Sequence, residues 1–301
     1  MNGVRLVLAL TLVTLPALAL PLIRRGRNPG AWAVVIVCSI GAGFVILVAG
    51  LIHAALPLVF SLVGADGLAA ACRRLGGHLF GASPVFGAGA GLLALTVAVR
   101  AMIGVGASVQ ANARLREGAV QGIPTAVAGH NAVLLPMRDR IAVAIPGPSP
   151  LVLLSQSLVE DLRMAELIAV VRHEMAHLRR HHQRFLLVGI AVGYGLWFIP
   201  WVPRAITALR FALERWADED SAISPSERKH VRSALHKLGT ATSHPIHHRL
   251  QALDPLRPAT TNSSMMGWSI AMSAVVPLGL ALAATLVLHL TRVLQAAAIT
   301  G

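Results

Sequence analysis

The sequence predicts a mainly α membrane protein, with four transmembrane helices and an α+β domain inserted before the last of them. Three observations lead there. Hydrophobic residues make up 55% of the 301 positions and charged residues only 13%, where soluble domains carry roughly 25% charge. The mean hydropathy is +0.67. The apolar residues gather in runs long enough to span a bilayer, which needs roughly 20 residues per helix.

The first run is Val4 to Ile23, followed at once by Arg24, Arg25 and Arg27. A basic cluster directly behind an apolar run reads as a retained helix facing the cytoplasm; a cleaved signal peptide is the alternative. The second run is Ala31 to about Phe60, interrupted by His53 and Pro57. The third is about Val85 to Ala107, and the last about Trp268 to Leu290. Residues 1–107 are therefore read as three membrane helices with short loops, 108–265 as a cytoplasmic domain, and 266–301 as the final helix and tail. The loop Ser61 to Pro84 falls outside the cell. The expected location is the cell membrane, multi-pass, with the lipid bilayer as a partner.

The formal charge of +13 is carried almost wholly by Arg, since Lys229 and Lys237 are the sole lysines. Positive-inside loops account for it. Direct nucleic-acid binding is not expected: no recognition motif accompanies the charge, and aromatics at 4% offer few stacking platforms. The two cysteines, Cys38 and Cys72, sit in different surroundings without metal-ligand company, so cysteine chemistry is not expected.

Within 108–265, short β-like runs come first: Thr125–Ala128, Ala132–Leu135, Ile141–Ile145 and Leu151–Leu154. Gly129-His130-Asn131, Met137-Arg138-Asp139 and Pro146-Gly147-Pro148 separate them as turn signals. Ser157 and Glu160 have capping-box spacing. A helix is then expected from about Met164 to His182, with Leu167, Val170 and Val171 on one face.

That helix contains His173-Glu174-Met175-Ala176-His177, the pattern H-E-x-x-H. Spacing i, i+4 puts both imidazoles on one face about one turn apart, within reach of one ion. Neutral imidazole suits zinc. Glu174 points beside the ion rather than at it, where it can act as general base on the attacking water. The third ligand is sought among three options. The metzincin pattern needs Gly at 180 and His at 183, but Arg180 and Gln183 stand there. His181 on a straight helix lies about 12 Å from His173 at ~1.5 Å per residue, too far to share a tetrahedron; His181 and His182 are read as polar surface residues at a helix end. Glu214, with Asp218 one turn on, is the third: Glu214 as ligand, Asp218 orienting a ligand His. The competing reading of these acids is two surface carboxylates paired with Arg210 and Arg215.

The apolar stretch Phe185 to Pro203 cannot be a single crossing, since His173 and Glu214 would then lie on opposite sides of the bilayer. It is expected either against or re-entrant in the membrane, or packed on the soluble domain, with Pro203 in the first turn of the next helix.

These residues resemble a known family. His173-Glu174-x-x-His177, an apolar stretch carrying Trp197-Phe198-x-Pro200, and Glu214-x-x-Ala217-Asp218 look like the BlaR/MecR-type membrane metallopeptidases, gluzincins related to the HtpX and CAAX prenyl protease families. His244-Pro245-x-x-x-Arg249-Leu250 is similar to a segment that follows the active site in HtpX-type enzymes. The resemblance covers about residues 85 to 290. It implies a gluzincin zinc-protease domain with one Zn2+ on His173, His177 and Glu214, Glu174 as base, Asp218 in support, and His244 and Arg249 near the site. It implies a protein or peptide substrate in the cytoplasm, in the BlaR type a winged-helix transcriptional repressor. HtpX-like quality control and a non-catalytic receptor or scaffold are the alternatives. BlaR and MecR carry a penicillin-binding sensor domain after the last membrane helix; this sequence ends at Gly301 soon after that helix, so the sensor is not expected here.

Overall fold

The computed structural model describes residues 9–13, 15–18, 28–76, 83–238, 249–250 and 253. Most of run Val4–Ile23, the Arg24–Arg27 cluster, the run Trp268–Leu290 and His244 lie outside the described residues. Within them the chain is mostly helical with one small mixed sheet, and two helices are long and apolar enough to cross a membrane.

The first of these, α1 (Pro29–Leu62), starts where the Asn28 side chain accepts the Ala31 N–H at 3.0 Å, with Pro29 in the first turn. It runs unbroken through His53 and Pro57, which the sequence reading treats as interruptions. A proline forfeits one backbone hydrogen bond, and a strongly apolar helix tolerates that. A short α2 (Asp66–Gly76) follows where a loop is expected; it buries Ala71 and Cys72 against Leu56 and Phe60 of α1. The second long helix is α3 (Pro84–Ala119). At ~1.5 Å per residue α1 and α3 are each about 50 Å long, well beyond the ~30 Å hydrocarbon core of a bilayer. Both present exposed apolar side chains, among them Val45, Ile52, Leu92, Leu95 and Ile103.

Past α3 the strands are β1 (Ile123–Val127), β2 (His130–Leu135), β3 (Ala142–Ile145) and β4 (Leu151–Ser155), in the order β1-β2-β4-β3. β2 and β4 are parallel and the other two pairs antiparallel. Ala128 and Gly129 turn the first hairpin, both at positive φ (51° and 79°), as a two-residue turn that matches strand twist requires. The turn thus falls one residue before the expected one, and His130 and Asn131 belong to β2. Arg116 near the end of α3 donates to the carbonyls of Pro146 and Ser149, tying the β3–β4 loop to that helix.

Ser155, not Ser157, caps the short α4 (Gln156–Asp161), accepting from the Leu158 N–H. Next comes α5 (Met164–Arg179), whose first turn is closed by the Glu166 carboxylate accepting the Arg163 N–H at 2.9 Å. Leu167, Val170 and Val171 of α5 pack with Val152, Leu154 and Leu158, so the sheet lies under this helix. The helix ends three residues before the expected His182. His181 takes a left-handed conformation, φ 53°, and the chain restarts in a new direction as α6 (His182–Gly195).

Helices α6 and α7 (Val202–Ser221) form a hairpin over Phe185–Pro203, with Pro203 in the first turn of α7 as expected. α6 is about 21 Å long at ~1.5 Å per residue, too short for a crossing. It lies close against both long helices. A Cβ on Gly104 of α3 would fall 2.5 Å from Cγ of Tyr194, and one on Gly195 would fall 2.8 Å from Cε2 of Phe44. Tyr194, Trp197, Phe198 and Trp201 stand exposed at the hairpin tip. Arg100 of α3 donates to the Tyr194 carbonyl and lies over the Trp197 ring, 4.4 Å from its centroid. α8 (Pro225–Leu238) packs Ala234 against the sheet side of α5.

Candidate metal centre

Two helices meet at the site. α5 brings His173 and His177 along one face with Glu174 beside them, and α7 returns from the hairpin tip to bring Glu214 and Asp218 opposite the two imidazoles. The Nε2 atoms of His173 and His177 are 3.1 Å apart. Glu214 carboxylate oxygens lie 3.5 Å from His173 Nε2 and 3.6 Å from His177 Nε2. Among the described residues these three form the one cluster able to hold a metal ion. A tetrahedral ion with bonds of ~2.0–2.1 Å requires donor–donor edges of about 3.3–3.4 Å. The Glu214 distances run to different oxygens, Oε2 to His173 and Oε1 to His177; with the His–His separation each lies within a few tenths of an ångström of that length, so the donor set fits a zinc-sized ion.

Around the donors sits a shell that fixes them. Asp218 Oδ1 is 3.0 Å from His173 Nδ1, on the side of the ring away from the cluster. Arg249 grips Asp218 with two hydrogen bonds of 2.7 Å and reaches Glu214 at 3.0 Å. Both Asp218 and Arg249 are buried. The other acids of α7 are engaged elsewhere: Glu219 with Arg215, Asp220 with Arg179 and Arg180. Glu214 and Asp218 are therefore not the surface pair of the competing reading.

The electrostatics follow from burial and these partners. Burial opposes the His173 charge, but Asp218 and Glu214 outweigh it and raise its pKa to about 10. Burial and the neighbouring His173 push His177 down to about 4. Against burial, Arg249 and His173 hold Asp218 down to about 2. Glu214 is likewise held below the usual carboxylate range by His173 and Arg249. Glu174 is different. Burial pushes it up to about 7, with Glu214 adding to the shift and His173 opposing it. A carboxyl poised there can take up and release a proton near neutrality.

Glu174 also touches the edge of the sheet: its Oε2 accepts the Ala144 N–H of β3 at 2.9 Å. The cluster opens into a cavity of about 250 Å³ whose far wall is apolar, built from Ala142 of that strand, Val170 of α5, and Val231, Leu235 and Leu238 of α8.

His173, Glu174, His177, Glu214, Asp218 and Arg249 thus converge on one site. His182 departs from expectation. It is not a surface residue but 1% exposed, with Nδ1 2.9 Å from Nδ1 of His177. The sequence signal was its place five residues after His177, which a straight helix would have pointed elsewhere.

No protein-family model, no curated protein and no solved structure matches this chain.

Proposed function

We propose that the chain is an integral-membrane zinc endopeptidase that cleaves a protein exposed on the cytoplasmic face. The observation that carries this reading is the division of labour on α5. His173 and His177 converge with Glu214 as donors, while Glu174 between them is turned to the edge strand and the cavity, with its pKa pushed up to about 7. Zinc, when bound, supplies Lewis acidity that makes water acidic near neutrality and polarises a carbonyl. Glu174 takes the proton of the attacking water and passes it to the leaving amine nitrogen. Asp218 keeps the His173 ring turned, and Arg249 keeps Asp218 ionised. β3 is an edge strand of its sheet, and an extended peptide can lie along such an edge, its side chain entering the apolar cavity.

The membrane placement rests on the two long apolar helices and on the sequence runs flanking them. The α6–α7 hairpin is read as re-entrant, because its tip packs beside Phe44 and Arg100, inside the apolar runs of α1 and α3. The gluzincin class, four spans, a cytoplasmic site and a regulatory substrate such as a winged-helix repressor belong to this proposal and follow the BlaR/MecR resemblance.

The test is Glu174→Gln in the full chain, with denatured casein as a generic unfolded probe. It is expected to keep zinc and to lose cleavage by about 10²–10⁴-fold. Cleavage equal to wild type removes Glu174 as base.

A further inference from the structure

His182 lies directly behind a metal-binding candidate, and its surroundings specify what it does there. The left-handed turn at His181 swings the first residue of α6 back beneath α5. His182 Nδ1 is 2.9 Å from His177 Nδ1, the rings set edge to face with centroids 4.7 Å apart. Trp216 and Phe185 pack on its other sides, at 5.0 and 6.3 Å between centroids. His182 Nε2 is buried with no hydrogen-bond partner among the described residues.

A ligand imidazole that turns its Nε2 to a metal carries its proton on Nδ1, and the group that accepts that proton's hydrogen bond fixes both tautomer and ring orientation. For His173 that group is Asp218. For His177 the polar atom facing Nδ1 is Nδ1 of His182. Two imidazole nitrogens at this separation share one proton, so His182 accepts through Nδ1 and bears its own proton on Nε2.

Resting on the zinc reading above, we propose that His182 is a positioning residue of the metal centre: it accepts the hydrogen bond of His177 Nδ1–H and so holds His177 Nε2 on the ion. A neutral imidazole orients the ligand without adding charge to a site that already holds Glu174, Glu214 and Asp218.

The experiment measures zinc affinity by chelator competition in the full chain, solubilised in detergent. His182→Leu fills similar volume and accepts nothing. His182→Asn keeps an oxygen acceptor near the Nδ1 position. His182→Gln moves the amide toward the Nε2 position. Loss of an outer partner typically costs about 10–100-fold in metal affinity. We expect that loss in His182→Leu and in His182→Gln, and recovery of most of it in His182→Asn. Wild-type affinity in His182→Leu overturns the inference. So does equal weakening in Asn and Gln, because a packing role ranks these two alike. Should His182→Leu not fold, the comparison of Asn with Gln decides alone. If wild type binds no stoichiometric zinc, the metal reading falls and takes this inference with it; tight wild-type binding with unchanged variants sinks this inference only.

Discussion

Asp218 Oδ1 stands 3.0 Å from His173 Nδ1 while Arg249 holds the same carboxylate with two hydrogen bonds of 2.7 Å. The chain Arg249–Asp218–His173 therefore ends with His173 Nε2 turned toward His177 and Glu214.

Asp218→Asn breaks that chain without changing its shape. The amide loses the charge that Arg249 and His173 both use. Zinc affinity is expected to fall by about 10–100-fold, less than the loss on removing the Glu214 donor itself. Chelator competition on the two purified variants ranks them, and a larger effect at Asp218 than at Glu214 reverses the roles assigned here.

Glu166 predicts a pH dependence away from the site. It is 0% exposed, held by Arg163, Ser233 and Lys237 at 2.6–2.7 Å. Arg163 first, with Lys237 and Ser233 helping, keeps its pKa well below the usual carboxylate range against the opposing effect of burial. A folded pKa lowered in this way contributes stability above the unfolded value of ~4.3, and that stability is lost as pH falls through the lower folded value. The thermal midpoint of wild type should drop on acidification below about pH 4, and Glu166→Gln should flatten that part of the profile. At pH 7 the substitution should cost about 1–3 kcal/mol, from partners left unsatisfied. An unchanged acid profile in Glu166→Gln would remove this pairing as its source.

The hairpin tip predicts contact with lipid. Trp197 and Trp201 are 45% and 48% exposed, with Arg100 and Arg204 over their rings, and Arg100 lies within the apolar run of α3. In vesicles, a variant with Trp32, Trp216 and Trp268 replaced by Phe, which keeps these two tryptophans, should be quenched strongly by brominated acyl chains relative to unbrominated ones. Equal emission in the two lipids would place the tip away from the bilayer.

Topology has its own measurement. In a background with Cys38 and Cys72 replaced by Ala, single cysteines at Gly67, Gln121 and Ser226 are exposed to a membrane-impermeant thiol reagent on intact cells. Label at Gly67 alone is expected. Label at Gln121 and Ser226 instead makes the site outward-facing and excludes a cytoplasmic substrate.

What the sequence carried and what it did not divides by range. His173, Glu174 and His177 were legible because i, i+4 on one helix is local geometry, and Asp218 is one turn from Glu214 for the same reason. The strands were legible from alternating apolar runs between turn residues, to within two residues at either end. His182 was not, because its burial depends on one left-handed residue, His181, that reverses the chain. Nor was the Glu166 cluster, which joins residues from two helices about 70 positions apart. Pro57 misled in the other direction: an apolar helix passes through a residue that would break an exposed one.

The proposed zinc centre requires His173, His177 and Glu214 to hold one ion together. Its most direct test is the metal content of the purified full chain and of Glu214→Ala, measured by elemental analysis after equilibration with limiting zinc. One zinc per wild-type chain is expected, with a large loss in Glu214→Ala. Full occupancy in Glu214→Ala, or a loss that appears instead in His181→Ala, would contradict it.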